Sequence, residues 1–163
     1  MAASTYPSVN ITPHWADLND HLIELVDLIP DGKMDWSPSP EQWNFRGILL
    51  HTVGGRLGWL ANTVGDGEPM PDYMKRGQTT DGLKELLRES WERMARFLSD
   101  PQKIDAAYQH PTGELNYLDP PTTDGHYIAY HRFVHDVEHR GDVLRLLAQL
   151  GVDALEERRR RPL

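Results

Sequence analysis

The sequence predicts an all-α chain folded as one four-helix bundle, with a long connection between the third and fourth helices. Apolar residues recur at the helical period of about 3.6 in four separate stretches. The segments between them are rich in Pro, Gly and Asp, and none carries a convincing strand pattern. The chain has 163 residues, 39% hydrophobic and 26% charged. That length suits a single domain able to bury a real core, spanning 1–163 with the core from about Thr12 to Gly151.

The first helix is expected to start at Thr12, where Pro13 falls in the first turn and its missing N–H is harmless, and to reach about Leu28. Trp15, Leu18, Leu22, Leu25 and Ile29 form its core face. His14 and His21 lie on its polar or boundary side and read as surface residues. Pro30-Asp31-Gly32 ends the helix, and the prolines between Asp35 and Pro40 forbid its continuation. The second helix begins near Asn44 and ends by Gly65, with Leu50, Val53, Leu57, Leu60 and Val64 as its seam. A loop from Gly65 to Pro71 follows. Thr79 or Thr80 then caps a third helix running to about Leu98. Leu83, Leu86, Leu87, Trp91, Met94, Phe97 and Leu98 supply its core side, while Lys84, Glu85, Arg88, Glu89, Glu92, Arg93 and Arg96 read as a solvated face of i,i+4 pairs.

The stretch from Ser99 to Asp124 is long for a connection inside a compact domain, so it either wraps the bundle or shapes a functional mouth. Tyr108, His110 and Tyr117 are candidates to line a pocket there, and the part from Lys103 to Leu118 has room for a short strand or turn. The fourth helix starts near Thr123 or Asp124 and ends at Leu150, before the terminating Gly151. Ile128, Val134, Val137, Val143, Leu144 and Leu147 go almost all round it, as expected of a helix covered on several sides. The tail from Glu156 to Leu163 reads as a solvated end.

Charge and composition narrow the function. Twenty-five acidic against 17 basic residues give a net charge of −8, which disfavours nucleic acid as a partner. With no cysteine present, disulfides, thiolate ligands and a cysteine nucleophile are excluded, and any metal must be held by N and O donors. No stretch approaches about 18 uninterrupted apolar residues, so no membrane partner is expected. Met1 to Asn10 lacks the charged start and apolar run of a signal peptide, and the expected location is cytoplasmic.

Three of the eight histidines fall between Tyr127 and Gly141, within the fourth helix. His131, His135 and His139 are spaced at i, i+4 and i+8, so their rings stack along one helix face, in line with Ile128, Leu146 and Leu150. The expected result is a buried histidine row. Two imidazoles at i and i+4 can present nitrogens to one ion at about 2.0–2.1 Å, and a third ligand from another helix leaves a position open. His51 is the best third ligand. It lies beside the second helix's seam, among Gly54, Gly55 and Gly58, whose presence in a helix costs about 1 kcal/mol each relative to Ala. A cavity beside the metal, or a close helix approach, would explain them.

Trp43, Leu49-Leu50-His51 and the segment from His135 through His139-Arg140-Gly141-Asp142 resemble the DinB (DinB/YfiT-like) family of small metalloenzymes. That family carries one histidine on the second helix and an H-x-x-x-H-R-G-Q-like segment on the fourth. The resemblance runs from about Trp15 to Leu150 and implies that His51, His135 and His139 are the metal ligands. Asp142 departs from the pattern, standing where the family often has Gln. His131 is left as a donor supporting a ligand ring or as a substrate contact, with Tyr127 and Gly55 beside it as further residues of a substrate pocket. His135-Asp136-Val137-Glu138-His139 also matches H-x-x-E-H, the inverted zinc-peptidase motif. That motif needs a distant downstream carboxylate ligand, and only Asp142, Asp153, Glu156 and Glu157 follow. Glu138 is therefore expected to face solvent or an arginine.

Three imidazoles suit Zn or Ni best among divalent ions. Such an ion makes a bound water more acidic or holds a substrate thiol as thiolate. The resemblance implies both options, a hydrolase or a transferase that moves a low-molecular-weight thiol onto an electrophile, with a small-molecule substrate and a homodimeric assembly. The alternatives are a non-catalytic binding or stress-response module with a structural metal, and a metal-free bundle with hydrogen-bonded histidines. Because ligating imidazoles must be deprotonated, metal is expected to leave below roughly pH 6.

Overall fold

The computed structural model describes residues 10–109, 122–154 and 156. It is mostly helical. Helix α1 covers Thr12–Leu28, α2 Phe45–Gly58, α3 Tyr73–Arg76, α4 Thr80–Leu98, α5 Pro101–Asp105 and α6 Gly125–Gln149, with short strands β1 (Ala107–Gln109) and β2 (Thr122–Asp124). Each of α1 and α2 packs against both α4 and α6, so the four long helices close into a ring. No helix among the described residues is long and apolar enough to cross a membrane.

Local chemistry accounts for the helix ends. The side chain of Asn44 accepts from Gly47 N at 2.7 Å, Thr79 Oγ1 from Gly82 N at 3.1 Å, and Asp124 Oδ1 from Tyr127 N at 2.8 Å. Each satisfies one of the backbone donors left over at a helix start. Beyond Gly58, α2 widens into a π-helical turn over Trp59–Val64. It ends at Gly65, whose φ of 66° is the left-handed conformation glycine adopts without penalty.

The core has two apolar parts. One gathers Leu22, Leu25, Phe45, Leu49, Val53, Leu87, Val143 and Leu147, among others. The second holds Trp15, Leu18, Leu60, Met94, Phe97 and Ile128. A buried polar layer takes one residue from each long helix: Asn19 from α1, Arg56 from α2, Ser90 from α4 and Asp136 from α6. Arg56 is its hub. Its Nη1 donates to Asn19 Oδ1 at 2.7 Å and Ser90 Oγ at 3.2 Å, and its Nε to Asp136 Oδ2 at 2.7 Å. Trp15 Nε1 adds a 2.7 Å bond to the same carboxylate oxygen.

Several expectations need correction. His21, expected at the surface, is buried. Arg93 belongs to no solvated face: its side chain is 5% exposed and paired with Asp66, with further bonds to the carbonyls of Glu68 and Pro69. That pairing draws the connection after α2 onto α4, and the connection itself carries α3. The long third connection holds α5 and the antiparallel pair β1–β2, registered Tyr108 to Thr123; β1 falls in the stretch from Lys103 to Leu118 that had room for a short strand or turn. His110 and Tyr117 lie outside the described residues. Tyr108 is partly buried, its hydroxyl donating to Lys103 O at 2.7 Å.

Candidate metal centre

Packing of α2 on α6 brings His51 against His135 and His139. His135 Nε2 lies 2.9 Å from His51 Nε2 and 3.2 Å from His139 Nε2, and one nitrogen of each ring falls within 4.8 Å of the others. Three nitrogens held at about 2.0–2.1 Å from one ion stand roughly 3–3.4 Å apart. Two of the three separations match that spacing and the third is within 4.8 Å, so the rings offer one divalent ion three imidazole donors.

The cluster is not buried as the sequence suggested. His51 is exposed, and the side chains of His135 and His139 are each 16% exposed. The residue of this segment that points fully inward is Asp136, about 100° further round α6 from His135. It takes the core position because Arg56 and Trp15 wait there to bond it. The histidines are left on the flank of the core, open to a ligand.

Each ring has a distinct surrounding. His139 Nδ1 faces Asp142 Oδ2 at 3.1 Å. His135 Nδ1 meets the Arg132 guanidinium, with Asp136 Oδ1 at 3.7 Å behind it. Trp43, half exposed, lies edge-on to His51 at 4.6 Å between ring centroids and nearly parallel to His139 at 6.0 Å. His51 keeps an exposed edge, but the part of its ring packed against its neighbours is desolvated, and this, with the nearby His135, His139 and Arg132, pushes its pKa down to about 4. Burial also lowers that of His135, reinforced by Arg132 and His139 and opposed by Asp136. Both rings are thus kept neutral near pH 7. The guanidinium can only donate, so the proton of neutral His135 sits on Nε2, and an ion binds at that nitrogen only once Arg132 turns from Nδ1 and the proton leaves Nε2.

Gly55 has a specific reason: a Cβ there would lie 2.5 Å from Arg132 Nη2 and 2.8 Å from its Cζ. The glycine admits the guanidinium beside His135. A Cβ added at Gly54 would likewise meet the Tyr73 ring, at 3.0 Å from its hydroxyl. His131 stands apart from the three-ring cluster, between Trp59 at 5.2 Å and Tyr127 at 5.6 Å. Glu138 is exposed. Sequence reasoning passed over Arg132 and gave Asp142 no partner, although both stand three residues from a triad histidine on the same helix, a spacing that places side chains together. A cleft of about 200 Å³ opens beside the cluster, lined by Gln42, Trp43, Ile48, His139, Asp142 and Arg145.

Residues 1–156 of the chain match the model of the DinB family. No curated protein matches it.

Proposed function

The chain belongs to the DinB family, and on that premise we propose that it is a metal-dependent enzyme on a four-helix bundle that transfers a low-molecular-weight thiol to an electrophile. His51, His135 and His139 are the proposed ligands of one divalent ion, zinc or nickel. The convergence of their three Nε2 atoms carries this reading. The closed ring of α1, α4, α2 and α6 supports the bundle architecture.

When bound there, a divalent ion supplies a Lewis acid that lowers the pKa of a coordinated thiol or water. The protein's share is to hold three imidazoles in place and to shape access. Trp43 walls the outer side, and the cleft beside His139 offers space for the rest of a small substrate. Arg132 sets a positive charge close to His135.

One feature favours a thiol over water as the nucleophile. Among the described residues, the carboxylates in contact with these rings, Asp136 and Asp142, lie on the Nδ1 side of His135 and His139, behind the converging Nε2 atoms. A substrate thiolate brings its own nucleophilic lone pair and needs no general base from the protein.

Metal content of the purified protein, beside His51→Ala and His139→Ala, tests the site. Near-stoichiometric metal in the wild type, reduced in both variants, is expected. The metal-loaded protein is then assayed with a panel of low-molecular-weight thiols against 1-chloro-2,4-dinitrobenzene. Turnover above the spontaneous rate, abolished by chelation, is the expected result. Absence of metal after incubation with Zn²⁺ and Ni²⁺ overturns the reading, and metal-dependent ester hydrolysis without thiol transfer replaces it by the hydrolase alternative.

A further inference from the structure

We propose that Asp142 is a positioning residue for the metal centre, fixing the tautomer and orientation of His139 and thereby setting metal affinity. The inference rests on the metal-site reading above and assigns a residue outside the three ligands.

A neutral imidazole carries one N–H, and an ionised carboxylate can only accept. His139 Nδ1 stands 3.1 Å from Asp142 Oδ2, so the proton of that pair sits on Nδ1. The lone pair of His139 is then on Nε2, the nitrogen that faces His135 Nε2 at 3.2 Å. The ring is preset as a ligand before any ion arrives, and its carboxylate partner makes Nε2 a stronger donor.

Among the described residues this is the one carboxylate within 3.5 Å of a triad ring nitrogen. His135 Nδ1 is met instead by the Arg132 guanidinium, a donor, while Asp136 stands off at 3.7 Å with its Oδ2 bonded to Arg56 and Trp15. His51 meets the other two rings and the edge of Trp43.

Packing does not explain where Asp142 is. Its side chain is 39% exposed, and it stays beside His139 because α6 places residues three apart on one face. Arg145, also on α6, lies 3.5 Å from its Oδ1 and reaches toward Gln42 Oε1 at 3.4 Å. The carboxylate is thereby tethered from its far side.

The test is the Zn²⁺ dissociation constant of the full chain, measured by competition with a chromophoric chelator. Wild type, Asp142→Asn and Asp142→Ala are compared, each with His139 intact and with His139→Ala. Loss of such an outer partner costs about 10–100-fold in metal affinity. Asp142→Ala is expected in that range, and Asp142→Asn, whose amide oxygen still accepts, at its lower end. In the His139→Ala background the Asp142→Ala change should add less than about twofold, because the residue acts through that ring. Melting temperatures of the metal-free Asp142 variants should match the wild type. Wild-type affinity in Asp142→Ala, or an undiminished effect without His139, overturns the proposal while leaving the metal site standing. A wild type that binds no Zn²⁺ overturns both.

Discussion

Arg56 and Asp136 form an ion pair of 2.7 Å in which neither side chain is exposed to solvent. The pair joins α2 to α6 across 80 residues of sequence, and both residues are integral to the polar layer between the two apolar clusters. A second arginine, Arg132, stands 3.6 Å from the other carboxylate oxygen. Removing one partner of such a pair leaves a charge buried without compensation, which costs about 3–5 kcal/mol. Asp136→Ala should lose stability in that range in urea unfolding, and more than Asp142→Ala on the same helix. A loss below about 1 kcal/mol would show that the layer is not held together by this pair.

Gly55→Ala tests the space left for Arg132. The added methyl would meet the guanidinium at 2.5 Å, so Arg132 must move away from His135. Overpacking of this kind costs typically about 1–3 kcal/mol, against a gain of about 1 kcal/mol in helix propensity. A net loss of stability is expected, with metal binding unchanged or tighter, because the guanidinium opposes positive charge at His135. Gly58→Ala, where a Cβ has only Asn62 at 4.0 Å, should be neutral or stabilising. Thermal unfolding of the two metal-free variants side by side separates these outcomes.

The depressed pKa of His51 has a definite sign. Its folded value of about 4 lies below the ordinary 6.5. Between those values the unfolded chain binds more protons than the folded one, so this residue makes stability fall as pH is lowered through the window. The metal-free protein should therefore lose stability between pH 6.5 and 4, and His51→Gln should lose less over that span. Melting curves at several pH values read this directly. The same depression lets metal persist on acidification to below roughly pH 6, the limit expected for ordinary histidines, because protons compete poorly for these rings. Metal released already near pH 7 would contradict it.

Arg93 should matter to the loop after α2. Its bonds to Asp66 and to the carbonyls of Glu68 and Pro69 tie that segment to α4. Burial raises the pKa of Asp66, but the hydrogen bond and charge of Arg93 outweigh it and hold the carboxyl below its ordinary value. The contribution is thus present above the unfolded pKa of about 3.9 and lost as pH falls through the folded value. Arg93→Ala should destabilise by about 3 kcal/mol near neutral pH, and the difference from wild type should shrink in strong acid. Denaturant titrations at pH 7 and pH 3 supply the comparison.

Much of the architecture is written locally. The 3.6-residue recurrence of Leu, Trp and Phe marks the four long helices, and Asn44, Thr79 and Asp124 mark three of their starts, because a cap acts on backbone donors two or three residues away. The i,i+4 spacing of His135 and His139 likewise makes a shared helix face predictable before any fold is known. What only the tertiary structure decided is which polar residues face one another. Arg56 sits beside Gly55 and Leu57 with nothing nearby to announce that it is buried, and Arg93 looks like its solvated neighbours on α4. Both are inside because carboxylates distant in sequence, Asp136 and Asp66, come to meet them. Asp136 in turn claims the inward side of α6 and leaves His135 and His139 toward His51 at the surface. Helix periodicity reports a face; the charge that makes a buried position tolerable comes from another part of the chain, and only folding brings it there.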